Sequence, residues 1–302
     1  MEKDSVYIIL VNYNGVKETI ECIKSIKENE NKCICKIIVV DNNSTDNSIE
    51  ILSNVKDIYL IKSENNNGFA KGNNIGIEYA LSEGANNILL LNNDTIITKN
   101  AISRMLEVLK QNKDIGIVSC RIMYDDNRDI INYCGGKFNW NKGITTHDYY
   151  KEKYNDNLLS CIDTEFITGC CMLMRKDIFE KVGYLPEEYF MYFEDADFCM
   201  QVRKANYKLK VCTDIVIYHK VSSSSGGEES EFTIKWITRN RLIFLNKYRE
   251  YIKGKGTLIF VYFSRCIRYV QYILTGKKGK ANAIVEGIKE GRKYIKEKDY
   301  KK

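Results

Sequence analysis

The chain of 302 residues contains a single proline, Pro186, and no uninterrupted run of 18 apolar residues. Scarce proline beside abundant asparagine reads as compositional drift and carries no functional signal. The missing apolar run excludes an ordinary membrane-spanning helix. The best window, GTLIFVYFSRCIRYVQYIL (256–274), is broken by Arg265 and Arg268, which makes it too polar to cross a bilayer alone but suited to lying on one. No CxxC pair occurs among the eleven cysteines, so zinc-ribbon spacing is absent. Cys33 and Cys35 are two apart, Cys170 and Cys171 are adjacent, and Cys120, Cys161 and Cys212 sit in apolar runs where cysteine acts as a small hydrophobe. An odd count with no signal peptide points to a reducing cytosol rather than a disulfide framework. Neither GxGxxG nor GxxxxGK[ST] is present: the glycines of NNNGFAKGNNIG fall at 68, 72 and 76, which argues against a dinucleotide-binding dehydrogenase and a phosphate-loop ATPase. Internal repeats and recognised nucleic-acid modules are lacking too.

What is present is globular: 44% of residues are hydrophobic, 28% are charged, and the net charge is a mild +6. Lys and Arg dominate from Tyr248 onward, an end that suits anionic lipid or an acidic partner as well as an ordinary solvated helical face. Over the first 120 residues short β-branched runs alternate with helical patterns. VYIILV (6–11), KIIVV (36–40), IYLI (58–61), NILLLN (87–92) and IGIVSC (115–120) are expected strands. Helices are expected over 16–27, after DNNSTDNS with Asp46 as N-cap, over 70–84 and over 101–112. This rhythm predicts an α/β fold of βαβ units with a mostly parallel central sheet flanked by helices. Residues 125–160 read as irregular, 165–175 as a strand, 176–182 and 194–206 as helices, 208–212 and 215–220 as two further strands, and everything from Glu228 as helical. The expected organisation is a catalytic domain over 1–225, halved at 120/121, and a helical, basic region over 226–302.

Ligands of an open parallel sheet bind at the carboxyl ends of its strands. Three polar turns follow apolar strands there: NYNG (12–15), DNNSTD (41–46) and NNDT (92–95). Turn chemistry alone accounts for any one of them, whereas three in register favour a shared site. In such a cleft Tyr13 can stack on a base and Asp41 can accept its imide N–H. Asp94 offers a hard oxygen to Mg²⁺ or Mn²⁺, and His219, ending IVIYH, adds an imidazole that suits Mn²⁺ better. MYFEDADFC (191–199) sets Glu194, Asp195 and Asp197 among aromatics, either as ordinary acids of a first helical turn or as groups facing a cleft.

Taken together, VNYNG, VVDNNSTD, NNNGFAKGNNIG, LLLNNDT and the long segment from FITGCCMLMR to IYHK resemble glycosyltransferase family 2, nearest its bacterial rhamnosyltransferase-like branch, over residues 5–250. The resemblance implies a GT-A fold, a nucleotide-sugar donor such as dTDP-rhamnose or a UDP-sugar, a divalent metal (Mg²⁺ or Mn²⁺) and inversion at the anomeric carbon. It places donor binding on Asn12, Tyr13, Asn14, Asp41, Asn43, Asn66, Gly68, Lys71, Asn74, Asn92, Asn93, Arg239 and Asn240, and the metal on Asp94 and His219. Asn92 stands where relatives carry the first acid of the metal motif, and Pro186 replaces an acidic residue of the branch. The catalytic turn maps onto YFEDAD, with Asp195 expected as general base, Glu194 as its runner-up and Asp197 orienting the turn. The acceptor implied is a glycan or lipid-linked glycan of a cell-surface polysaccharide, with the basic end resting on the inner face of the cytoplasmic membrane and no nucleic acid involved. Two other readings compete: a sugar nucleotidyltransferase, which leaves the aromatic-acid turn without a role, and a non-catalytic, membrane-associated nucleotide-binding protein.

Overall fold

The apolar runs of the first half form β1 (Ser5–Asn12), β2 (Ile34–Asp41), β3 (Ile58–Lys62), β4 (Asn87–Leu91), β5 (Thr95–Ile97) and β6 (Ile115–Tyr124), separated by α1 (Val16–Asn29), α2 (Ser48–Ser53), α3 (Gly68–Ser82) and α4 (Ala101–Gln111). There follow β7 (Ile131–Tyr133), β8 (Gly136–Asn139), β9 (Ile144–His147), β10 (Cys161–Thr164), β11 (Cys171–Arg175), α5 (Lys176–Val182), α6 (Glu194–Lys204) and β12 (Lys208–His219). The chain ends in α7 (Glu231–Lys247), α8 (Gly256–Leu274) and α9 (Lys278–Lys298). The structure, a computed structural model, describes residues 4–154, 159–220, 229–252, 254 and 256–298. It divides into two compact units: 1–137, 147–190 and 194–221 form the first, and 138–146, 191–193 and 222–302 the second. The position expected as a border at 120/121 lies inside β6, a single strand of the first unit.

The first unit is built on one sheet in the order β10-β12-β6-β11-β4-β1-β2-β3, with β5 paired to β12 and β7 to β6. β1, β2, β3 and β4 run parallel, as do β6 and β12; β11 lies antiparallel between β4 and β6. Because β1 and β2 pair in register from Ser5↔Ile34 to Asn12↔Asp41, their polar last residues emerge side by side at one sheet edge. The interior strands are buried on both faces, which explains their unbroken Ile, Val and Leu runs.

The glycines at every fourth position of α3 have a packing reason. A Cβ on Gly76 would stand 2.5 Å from Ile9 Cγ2, and one on Gly72 would stand 2.9 Å from Val11 Cγ1. Their absent side chains let α3 lie close on β1. Gly68 opens the helix at φ +76°, and a Cβ there would fall 2.2 Å from the Phe190 carbonyl oxygen. No larger residue fits without moving that loop.

Four expectations need correction. Only Cys171–Arg175 of the run 165–175 is strand, because Thr168 and Gly169 turn the chain ahead of it: the Cys171 N–H reaches back to the Thr168 carbonyl. The two strands expected over 208–220 are one, β12, with a register shift between Cys212 and Val216 that absorbs the polar Thr213-Asp214 step. The N-cap of α2 is Asn47, while Asp46 Oδ1 accepts the Ser48 N–H at 3.0 Å. The stretch 125–160 carries β7, β8 and β9, strands too short and polar to show a period.

In the second unit α9 lies against α7: Cβ atoms on Gly287 and Gly291 would stand 2.5 and 2.9 Å from the carbonyl oxygens of Lys235 and Arg239. Trp140 stacks between Phe244 and Tyr251, with centroids 5.7 and 4.9 Å away. Ser230 caps α7, accepting the Thr233 N–H at 3.1 Å. Among the described residues no helix is long and apolar enough to cross a membrane.

The close approach of α3 to β1 yields a stability test. Gly76→Ala gains about 1 kcal/mol of helix propensity but forces a methyl into Ile9, a fully buried neighbour. Overpacking of this kind costs about 1–3 kcal/mol, so the variant is expected to unfold at lower denaturant concentration. An unchanged or higher midpoint would contradict this account of the glycine spacing.

Candidate active site

The three polar turns at the sheet edge are tied into one network. Asn12, buried at the end of β1, donates through Nδ2 to Asp41 Oδ2 at 2.7 Å across the β1–β2 register and to Ser44 Oγ at 3.1 Å. Asp41 is fully buried, and its two oxygens also accept from the Ser44 N–H at 2.9 Å and the Ser44 hydroxyl at 2.7 Å. Thr19, one turn into α1, donates to Asn12 Oδ1 at 2.8 Å and accepts from Asn93 Nδ2 at 2.8 Å. Turn one is thereby fastened to turns two and three. Ser44 and Thr19 were not singled out from the sequence. Ser44 lies inside the quoted DNNSTD turn, whereas Thr19 sits in a helix with no local signal.

Nor does the sequence single out Asn42. Its amide donates to Asn66 Oδ1 at 3.0 Å and to the Gly68 carbonyl at 3.1 Å, and its oxygen accepts the Asn67 N–H at 3.1 Å. Asn66 Oδ1 also accepts the Gly68 N–H at 3.0 Å. The start of α3 is thus fixed to the end of β2. Asn14 and Asn43 adopt positive φ, 51° and 64°, and Asn14 Oδ1 receives the Thr45 N–H at 2.7 Å. Tyr13 is 36% exposed, so its ring is open to a partner. Lys71 pairs with Glu187 at 3.7 Å, while Asn74 is buried and spent on Leu185, donating to its carbonyl at 2.9 Å and accepting its N–H at 3.0 Å. The Asn74 side chain therefore holds the loop that carries Pro186.

The third turn brings Asp94 to His219. Asp94 Oδ1 lies 3.0 Å from His219 Nε2, both side chains are nearly buried, and Asn92 Nδ2 is 3.2 Å from the same nitrogen. Burial works against the imidazolium, but Cys170 and Asp94 beside it outweigh burial and hold its pKa well above the usual histidine range. Two donors in neighbouring positions of an octahedral ion at about 2.1 Å lie about 3.0 Å apart, so this spacing fits a shared divalent cation. One carboxylate and one imidazole leave other positions to water or to phosphate oxygens. The described residues offer no group of three acidic, histidine or cysteine side chains for a metal. A cation binds here only with Nε2 of the imidazole deprotonated.

The acidic trio opens α6 and divides by environment. Asp195 Oδ2 accepts the Gly169 N–H at 3.0 Å and Oδ1 the Ala196 N–H at 2.7 Å. Burial pushes its pKa above the ordinary aspartate value, against the pull of these two N–H groups. Glu194 is 5% exposed, its Oε2 has no hydrogen-bond partner among the described residues, and burial followed by the charge of Asp195 drives its pKa well above the usual range. Asp197, fully buried, accepts from the Tyr189 hydroxyl at 2.7 Å and from Gln201 Nε2 at 2.8 Å. Gly169 links the trio to the third turn. Its N–H reaches Asp195, and the next residue, Cys170, accepts the Asn92 N–H at 2.9 Å. The start of α3 meets the loop leading into α6 where the Phe69 N–H donates to the Phe190 carbonyl at 2.7 Å.

Arg239 and Asn240 belong to the second unit. Asn240 Nδ2 donates to the carbonyls of Met191 and Tyr192 at 2.8 and 2.9 Å, clamping a stretch in which Tyr192 and Phe193 have φ of 70° and 77°. Bulky residues hold such angles only when their surroundings impose them. Arg239 donates to Asn240 Oδ1 at 2.6 Å and lies over the rings of Trp236 and Tyr294.

Comparison with known proteins agrees with this architecture. The profile of Glycosyl transferase family 2 matches residues 7–183. The low-salt glycan biosynthesis hexosyltransferase Agl10 of Haloferax volcanii is 29% identical over 244 residues, covering 80% of this chain and 76% of that protein. The dTDP-rhamnosyl transferase RfbF of Shigella flexneri is 24% identical over 221 residues, covering 73% and 71%. Among solved structures, GalNAc-T7 with UDP, GalNAc and Mn²⁺ superimposes with TM-score 0.64 at 13% identity, over 82% of this chain and 51% of that one. The mannosyltransferase PcManGT from Pyrobaculum calidifontis, in complex with GDP-Man and Mn²⁺, gives 0.59 at 13% identity over 95% and 74%. With the matching family profile over more than half its length and the GT-A fold of these structures, the chain belongs to glycosyltransferase family 2.

Proposed function

We propose that the chain is an inverting glycosyltransferase that moves a sugar from a nucleoside-diphosphate donor, dTDP-rhamnose or a UDP-sugar, to a hydroxyl of a glycan or lipid-linked glycan in cell-surface polysaccharide synthesis. The observation that carries this reading is the short path Asp195–Gly169–Cys170–Asn92, which sets the carboxylate of α6 beside the turn bearing Asp94. An acceptor hydroxyl attacks the anomeric carbon and loses its proton as the new bond forms. Asp195 takes that proton: each oxygen is held by one backbone N–H and keeps a lone pair for it. Burial and the charge of Asp195 raise the Glu194 pKa well above its ordinary value, which disfavours a second negative charge at the same turn, and Asp197 fixes Tyr189. Tyr13 offers its exposed ring to the base. The buried Asp41 carboxylate reaches a base N–H only if Ser44 turns aside, since Ser44 now covers it. Asp94 and His219 are the residues that would hold a divalent cation, Mg²⁺ or Mn²⁺, which when bound offsets the charge developing on the leaving diphosphate.

The basic end is assigned to the inner face of the cytoplasmic membrane. Ile259, Phe263, Ile267, Val270 and Leu274 recur at helical spacing along α8 and are exposed, Phe263 by 63% and Leu274 by 80%. Exposed Lys277 and Lys278 follow directly. An apolar stripe edged by lysine matches a helix lying in an anionic lipid surface.

Three measurements test this reading. Asp195→Asn should lower kcat by about 10²–10⁴ while donor affinity, read by calorimetry, stays near wild type; an active variant would move the base elsewhere. Because Asp195 must be ionised to act and its pKa is raised, log(kcat/KM) should fall with unit slope as pH drops through an inflection above the ordinary aspartate range. That limb should vanish in the residual rate of the variant. Chelation should abolish transfer, Mn²⁺ or Mg²⁺ should restore it, and Asp94→Asn should raise the half-activating metal concentration at least about tenfold; full activity in chelator would remove the metal role. For the membrane contact, Phe263→Glu with Leu274→Glu should cut co-sedimentation with anionic vesicles by about tenfold, and a wild-type chain that ignores such vesicles would end that assignment.

A further inference from the structure

A cavity of about 320 Å³ in the first unit is lined by Arg121, Arg128, Lys153, Asp129, Tyr154 and Tyr218, among others. In the β6–β12 register Arg121 pairs with Val216 and Met123 with Tyr218, while His219 pairs with Tyr124. Side chains alternate along a strand, so Arg121, Met123, Val216 and Tyr218 share the sheet face opposite to the one His219 uses. This cavity is therefore not part of the strand-end turns. Arg121 is only 5% exposed, and its Nε and Nη1 have no hydrogen-bond partner among the described residues. Its guanidinium lies over the Tyr154 ring, 3.3 Å from the centroid, a contact that eases the charge but takes none of those N–H bonds. A buried cation with donors unspent is costly unless a ligand supplies the acceptors.

Arg128 and Lys153 reinforce the same sign. Arg128 pairs with Asp125 at 2.7 Å outside the lining and lies over Tyr218 at 4.2 Å. Among the described residues Asp129 is the single acid in the lining, and with Asp125 paired to Arg128 three cations stand against two carboxylates. A guanidinium already covers one face of each tyrosine ring. A planar fork with free N–H groups and a local excess of positive charge matches a multiply charged tetrahedral oxyanion better than a lone carboxylate.

We propose that Arg121, Arg128 and Lys153 form a second anion site, on the sheet face away from His219, that takes a phosphate or diphosphate group. The group has two sources with one chemistry: a free inorganic anion, or the phosphoryl ester of a larger molecule such as a lipid-linked acceptor. The site stands independently of the sugar-transfer reading, because none of its residues is assigned to donor, metal or base.

The test is calorimetric titration of the full chain in chelator with inorganic pyrophosphate, and separately with geranyl diphosphate. Wild type should bind, Arg121→Met should weaken binding at least about tenfold and Lys153→Met about threefold, and Asp94→Asn should bind as wild type does. Circular dichroism checks that Arg121→Met is folded, and Lys153→Met, a surface change, keeps the test decisive if it is not. Tighter binding of geranyl diphosphate than of pyrophosphate assigns the site to an esterified group, and equal binding assigns it to the free anion. Absence of wild-type binding, binding by both cation variants as tight as wild type, or tighter binding in Asp94→Asn, whose carboxylate repels an anion when no metal is present, would overturn the proposal, the last by moving the anion to the strand-end turns.

Discussion

The hydrogen bond between Asn12 and Asp41 is the constraint on which the sheet-edge architecture rests. A carboxylate with no exposure to water is tolerated only where donors surround it, and Asp41 has three: the Asn12 amide and the Ser44 N–H and hydroxyl. The bond exists because β1 and β2 run parallel and in register to their last residues. Asn12 then spends its remaining oxygen on Thr19, and Thr19 receives Asn93. Three turns that could each move alone as surface loops are thereby held to one geometry by side chains buried at the strand ends. A site that must grip a charged ligand without reorganising needs such pre-fixed polar groups.

The same logic extends from the sheet edge to α6. Gly68 has no Cβ to strike the Phe190 carbonyl, so the start of α3 can sit against the loop that leads into the acidic turn. Gly169 does the equivalent from the other side: it gives its N–H to Asp195, and a Cβ there would already press on the Phe69 ring at 3.0 Å. Close backbone approach at two glycines sets the distance between the start of α3 and the acidic turn that opens α6. In the second unit the Asn240 amide holds the carbonyls of Met191 and Tyr192.

Much of this was legible in the sequence, and the gaps have physical causes. β1, β2, β4 and β6 announced themselves because strands covered on both faces read as continuous Ile, Val and Leu runs, and the edge strand β3 did so through its short apolar run IYLI. The direction of β11 did not, since an apolar run such as CCMLM looks the same whether it enters the sheet parallel or antiparallel. β12 was divided in two because Thr213 and Asp214 look like a turn, and only its pairing with β6 shows a bulge. At the site, the polar turns were visible as turns, but the partner of each amide was not. Asn74 finds Leu185 and Asn92 meets His219 across more than a hundred residues, separations that no local pattern encodes. Asn74 and Asn240, expected toward the donor, spend their amides on backbone groups, and the tripeptide Asp-Asn-Asn gave no sign that its middle residue, Asn42, would tie two elements together.

The pairing of Glu194 with Asp195 explains how two adjacent acids can differ in role. Protons go where ionisation is worst supported. Glu194 is buried, lacks a partner at Oε2 among the described residues, and feels the charge of its neighbour, so its pKa lies well above the ordinary glutamate value. Asp195, also raised by burial, is supported by two backbone N–H groups and remains the easier of the pair to ionise. A neutral Glu194 removes the repulsion that would otherwise lift Asp195 further, and a charged Asp195 keeps Glu194 neutral. The two environments push the pKa values apart, which is the arrangement expected where one carboxylate accepts a proton and its neighbour does not compete. Under the proposed reaction this favours Asp195 over Glu194 as the base, on grounds of burial and hydrogen bonding that the bare string FEDAD could not supply.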